Sequence, residues 1–127
     1  MTWETMQARA ENGGLLGKQL YVVYSFPTDG MGPTRAHIPE HVTNQRRLER
    51  EGVLAAAGPL AGRDGTTWNG EGLFVLRAES LEQALEIAKG DPMHAAGART
   101  FELRPWLLNE GSIDVRIPFS TGSPTVR

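Results

Sequence analysis

Two apolar sets interleave along Lys18 to Phe26, with Leu20, Val22, Tyr24 and Phe26 on one parity and Tyr21 and Val23 on the other. Side chains alternate across a strand, so this segment needs apolar cover on both of its faces. It cannot be an open, half-wet edge, and the remainder of the chain has to provide the two covering layers.

The rest of the chain divides by its punctuation. Pro27 to Arg35, with Gly30, Gly32 and Pro33, has turn chemistry and is read as a loop and candidate lid. A helix is expected from Ile38 to Glu51, with Pro39 tolerated in its first turn and Gly52 as its stop. Val53 to Gly58 and Gly72 to Arg77 read as a hairpin-like strand pair joined by a polar, glycine-bearing connection, Ala61 to Gly70. Ser80 and Gln83 have capping-box spacing and open a second helix that Gly90 ends. Asp91 then caps a short turn that starts at Pro92 and stops at Gly97, and Arg99 to Leu108 alternates as a last strand.

The order is βαββαβ, which predicts an α+β, ferredoxin-like antiparallel sheet with both helices on one face. The other face then needs cover, and a second copy of the chain is the cheapest, so a homodimer is expected. Residues 18–108 form this domain, residues 1–17 an N-terminal extension and residues 109–127 a C-terminal strand and tail. Thr2 to Ala10 is expected to be a short helix, Ile113 to Phe119 an extra strand, and Pro124 to Arg127 to fray.

At 127 residues the chain has room for one core. A formal net charge of −2, with no basic cluster beyond Arg46-Arg47, disfavours nucleic acid and anionic membrane as partners. No apolar run approaches the ~20 residues of a membrane span, and the first residues lack signal-peptide character, so a soluble, cytoplasmic protein is expected. The absence of cysteine excludes disulfides, thiolate nucleophiles and iron–sulfur clusters. Any metal would need His, Asp or Glu. His37 and His41 have i, i+4 spacing with His94 as a conceivable third ligand, but Pro39 places His37 at or before the helix start, so no metal site is expected. Gly70-Glu71-Gly72 lacks the following helix of a phosphate-binding loop, and no cofactor is expected either.

The chemistry rests on His41 and Asp91. Ile38, His41, Val42, Gln45 and Leu48 fall on one helical stripe, so His41 and Gln45 point toward the sheet, where polar groups need partners. Asp91 serves either as a helix cap or as the carboxylate that orients the His41 ring. A His–Asp pair with no Ser or Cys partner suits proton abstraction or elimination, which makes an isomerase or a lyase the leading reading. Arg35, after the loop, reads as a solvated arginine first and as a candidate for holding an anionic substrate second. Tyr24, which lies on the opposite face of the strand from Tyr21, and His94 are further candidates, although His37 and His94 read more simply as rim or surface residues. Trp68 and Trp106 read as edge-sealing aromatics before pocket wall.

Several segments together resemble the YciI-like (YCII-related) family. They are Gln19-Leu20-Tyr21-Val22-Val23-Tyr24, His41 followed by Gly52, Ala57-Gly58-Pro59, Ser80-Leu81-Glu82-Gln83-Ala84, Asp91-Pro92 with Ala96-Gly97, and Arg104-Pro105-Trp106, in that order over Lys18 to Trp106. That family is similar in fold to muconolactone isomerase and the cofactor-free antibiotic-synthesis monooxygenases, and it includes aromatic dehydrochlorinases. The resemblance implies a dimeric α+β barrel with a His–Asp pair in a pocket, carried here by His41 and Asp91, and it implies no particular substrate. The N-terminal extension, the longer Thr28 to Ala36 segment and the tail depart from the family's compact form. The expectation is a cofactor-independent enzyme acting on a small cyclic or aromatic substrate. Two competing readings are a non-catalytic binding dimer, in which His41 and Asp91 form a structural hydrogen bond, and a cofactor-free reaction with oxygen.

Overall fold

The computed structural model describes all 127 residues. In chain order they form α1 (Trp3–Asn12), β1 (Lys18–Pro27), α2 (Met31–Ala36), α3 (Ile38–Arg50), β2 (Leu54–Pro59), β3 (Gly72–Leu76), α4 (Leu81–Lys89), α5 (Pro92–Ala95), β4 (Arg99–Leu108), β5 (Val115–Arg116) and β6 (Thr125–Val126). Two compact units result, one of Met1–Lys18 with Leu107–Arg127 and one of Gln19–Trp106.

The larger unit is the expected ferredoxin-like α+β domain. Its four-stranded sheet has the order β2-β3-β1-β4. β1 runs antiparallel to β3, with Val23 opposite Phe74 and Tyr21 opposite Leu76, and β2 runs antiparallel to β3 with a bulge between Leu54 and Ala56. Parity then sorts the side chains. Tyr21, Val23, Phe74 and Leu76 form the core with Ala84 and Ala88 of α4, and Phe101 and Leu103 of β4 pack against the same cluster. Burying residues such as Val23 and Leu76, at 0% exposure, stabilises by about 1.5–3 kcal/mol each. The small residues Ala84 and Ala88, one turn apart, let α4 lie close to the strands.

Local chemistry places the helices. Ser80 caps α4 by accepting from the Gln83 N–H at 3.0 Å, while the Gln83 side chain accepts from the Glu79 N–H at 2.6 Å, one residue before the reciprocal partner of a standard capping box. Pro39 is the second residue of α3, where its missing N–H costs no helical bond.

The segment read from sequence as a loop and lid contains a helix instead. Met31–Ala36 forms α2, entered through Gly30 at φ 63°. Pro33 lies in the first turn, where backbone N–H groups have no intrahelical partner, so residues that look like breakers are tolerated. Thr34, with no exposure, anchors the helix. His37 closes α2 and opens α3.

In the smaller unit, Thr2 caps α1 by accepting from the Thr5 N–H at 3.1 Å, and Ala10 is its buried residue. The Leu15 N–H reaches the Ala10 carbonyl at 3.0 Å. The extra C-terminal strand is present as the two residues of β5, which pair with β6 in a separate ribbon. Thr125 and Val126 are thus paired, contrary to the fraying expected of the last residues.

Candidate active site

His41 occupies the first turn of α3, and its backbone N–H closes onto the His37 carbonyl at 3.0 Å. Gln45 follows one turn later on the same stripe, and Leu48, at 4% exposure, seats that stripe on the domain. Asp91 stands between α4 and α5 with extended backbone, the usual conformation of an N-cap.

The two readings of Asp91 turn out to be compatible. Its Oδ1 accepts from the Met93 N–H at 2.9 Å and caps α5, while Oδ2 accepts from His41 Nδ1 at 2.6 Å and from Gln45 Nε2 at 3.3 Å. Asp91 is 2% exposed. Burial pushes its pKa up, but the His41 hydrogen bond and charge and the Met93 N–H outweigh it, and the carboxyl lies below its ordinary value. An ionised carboxylate can only accept, so His41 donates from Nδ1, and a neutral ring then carries its lone pair on Nε2.

His41 lines a cavity of about 280 Å³. Engineered cavities of about 150 Å³ hold benzene, so there is room for one substituted ring. The wall is mostly apolar, including Ile38, Val42, Pro59, Trp68, Phe74 and Met93. Its polar groups are His41, Gln45, Glu71 and Arg99. No three His, Asp or Glu side chains converge as metal ligands, and His37 instead contacts Glu40 at 3.3 Å.

The lower-grade candidates distribute unevenly. Gln45 lines the cavity, and its Oε1 is buried without a partner. Arg35 is exposed near the end of α2 and does not line the cavity. Tyr24 lies on the sheet face opposite the helices, sharing parity with Val22 and Phe26, and its hydroxyl donates to the Glu71 carboxylate. That bond raises the Tyr24 pKa.

His94 is neither rim nor surface. Its ring is stacked against Phe74 and tilted against Phe101, with centroids 6.1 and 4.6 Å away. Nδ1 meets the Ala88 carbonyl at 2.6 Å and Nε2 meets Ser25 Oγ at 2.7 Å. Desolvation lowers its pKa. A neutral ring must then donate from Nδ1 to the carbonyl and accept the Ser25 hydroxyl on Nε2. Both nitrogens are engaged within the domain, which leaves neither open to a ligand in this arrangement.

Arg99 went unnoticed in the sequence, although a signal existed. It shares strand parity with Phe101 and Leu103, the inward residues of β4, so a cation was due on a buried face. Trp68, read first as an edge aromatic, lines the cavity, and its indole N–H donates to the Glu71 carbonyl at 2.7 Å.

The YCII-related domain family matches residues 19–107. The chain belongs to that family. The resemblance read from residues 18–106 therefore holds, and the match covers all but the two end residues of the four-stranded sheet, together with the His41–Asp91 pair. Among similar proteins, the uncharacterized protein YjpA of Bacillus subtilis (strain 168) is 32% identical over 74 residues, spanning 58% of this chain and 80% of YjpA. Among solved structures, this YCII-related chain is similar to 5-chloro-2-hydroxyhydroquinone dehydrochlorinase (TftG) from Burkholderia phenoliruptrix AC1100, in complex with 2,5-dihydroxybenzoquinone. The TM-score is 0.52 at 19% identity, covering 68% of this chain and 92% of TftG. That likeness shows the shared ferredoxin-like fold.

Proposed function

We propose that this YCII-related protein is a cofactor-independent enzyme that moves a proton on a small cyclic or aromatic substrate, by isomerisation or elimination. The observation that carries the reading is the 2.6 Å bond to a buried Asp91 from Nδ1 of His41, which itself lines a ring-sized cavity. His41 Nε2 takes a proton from the substrate, and the resulting imidazolium is stabilised by the ionised Asp91 beside it. In an isomerisation the proton returns at another atom. In an elimination it stays on His41 while the leaving group departs with the bonding pair. The likeness to TftG, a dehydrochlorinase solved with a dihydroxybenzoquinone, supports a ring-bearing substrate.

One observation favours a second reading, in which the domain binds a small molecule or protein without turnover: Asp91 also caps α5, so the pair has an architectural task in any case. A screen of hydroxylated and chlorinated ring compounds, followed by absorbance and chloride release, separates the two with His41→Asn. Loss of about 10²–10⁴ in kcat with folding intact supports the enzyme. A wild type that turns over none of the compounds, with a His41→Asn protein that only melts earlier, leaves the binding reading standing, whereas turnover undiminished in His41→Asn overturns the role of His41.

The functional unit is proposed to be a homodimer. Tyr24, Phe26 and Leu73 lie on the sheet face away from the helices, and Leu73 is 38% exposed there. Sedimentation equilibrium giving a monomer at micromolar concentration overturns this.

A further inference from the structure

We propose that Arg99 is the anion-holding residue of the cavity, so that the ligand is a ring compound bearing an ionised oxygen, of the phenolate, enolate or carboxylate kind. This subsite rests on the reading of the cavity as the place of proton transfer and adds the substrate's charge to it.

Arg99 is the first residue of β4, 7% exposed, and it lines the same cavity as His41. Its Nε is buried without a hydrogen-bond partner, and its guanidinium is in none of the chain's ion pairs. Gly72 of β3 stands beside it, with Nη1 3.5 Å from where a Cβ at that position would lie. The two nearby carboxylates are committed elsewhere. Asp91 spends one oxygen on Met93 and the other on His41 and Gln45, while Glu71 receives the Tyr24 hydroxyl.

A buried guanidinium with no hydrogen-bonded counter-ion, facing only the through-space charge of an Asp91 committed to other partners, is unfavourable, and a planar set of donors fits an oxygen anion better than any neutral group. The arrangement also suits the reaction. When His41 removes a proton, negative charge develops on the substrate, and Arg99 supplies a fixed positive charge in a water-poor wall to receive it. Gln45 Oε1, buried and without a donor, is placed to accept from a hydroxyl on the same ring.

The test is calorimetric titration of the full chain with benzoate and with benzamide, which share size and ring and differ in charge. The wild type is expected to bind benzoate roughly ten- to a hundredfold more tightly. Arg99→Gln is expected to abolish that difference while moving benzamide by less than about threefold. Arg99→Lys, which keeps charge but not the planar fork, retains part of the preference and serves if the glutamine variant does not fold. In His41→Asn the preference is expected to persist. Equal affinities in the wild type, failure of both probes to bind, or a preference that survives Arg99→Gln overturns the subsite. A preference lost in His41→Asn but kept in Arg99→Gln also overturns it, by placing the anion on a protonated His41, and leaves the proton-transfer reading intact. Were that reading to fail instead, His41→Asn would keep full turnover while benzoate selectivity still followed Arg99.

Discussion

Asp91 holds His41 and its own helix with different oxygens: Oδ2 accepts from the imidazole at 2.6 Å while Oδ1 caps the Met93 N–H at 2.9 Å. The cap fixes the carboxylate in space, and the carboxylate in turn fixes the ring. A residue that could be read as cap or as orienter makes the hydrogen bonds of each, because a carboxylate has lone pairs enough for both.

Asp91→Asn keeps the shape and removes the charge. One amide oxygen cannot serve both partners, and an NH₂ turned toward His41 Nδ1 forces the other tautomer. Turnover is expected to fall by about 10²–10⁴ and stability by about 1–3 kcal/mol, read from kcat and from denaturant midpoints. A variant with wild-type kcat is incompatible with an orienting role.

Acid is expected to weaken the fold in two steps. Burial holds the His94 pKa below its ordinary value of 6.5, so an unfolded chain takes up a proton that the folded one refuses. Stability from this group is full above about pH 6.5, declines as pH falls, and levels off below the folded-state pKa. Burial raises the Asp91 pKa, but the His41 bond outweighs it. Its folded value lies below 3.8, so its contribution is present above that pH and is lost as pH falls further. Melting temperatures from pH 8 to 3 should show both declines, and His94→Phe should flatten the upper one. An unchanged upper slope in that variant would assign it to another group.

The Ser25–His94 bond fixes a tautomer that can be observed directly. Long-range ¹⁵N correlation spectra at neutral pH should show His94 protonated on Nδ1, and Ser25→Ala should cost about 1–3 kcal/mol by leaving Nε2 buried and unpaired. A His94 ring protonated on Nε2 contradicts the arrangement.

Gly70 is required twice over. Its φ is +85°, and an added Cβ would collide with Met31 Sδ and come within 2.6 Å of Pro27 Cγ. Gly70→Ala should lower stability by about 1–3 kcal/mol and loosen the connection that carries Trp68 and Glu71. Both changes are visible as a lower melting temperature and altered Trp fluorescence; a variant as stable as the wild type would show that the backbone yields there without strain.

Signals confined to neighbouring residues were legible in the chain. Alternation placed β1 and β4, the Ser80 and Asp91 caps marked α4 and α5, and the helical stripe turned His41 and Gln45 toward the sheet. Met31–Ala36 was misread because glycine and proline break helices in their middles but not in their first turns. His94 was misplaced for a different reason, since its surroundings are made by segments remote in sequence: Ser25 lies 69 residues from the histidine it bonds. The residues themselves determined the fold class, the family and the kinds of side chain available for chemistry, because periodicity, caps and turns act over a few positions. Only the tertiary structure decided which of those side chains meet. Strand pairing and the seating of α3 against α5 bring His41 to an Asp91 that is 50 residues away, and the parity of β4 turns Arg99 into the same cavity wall.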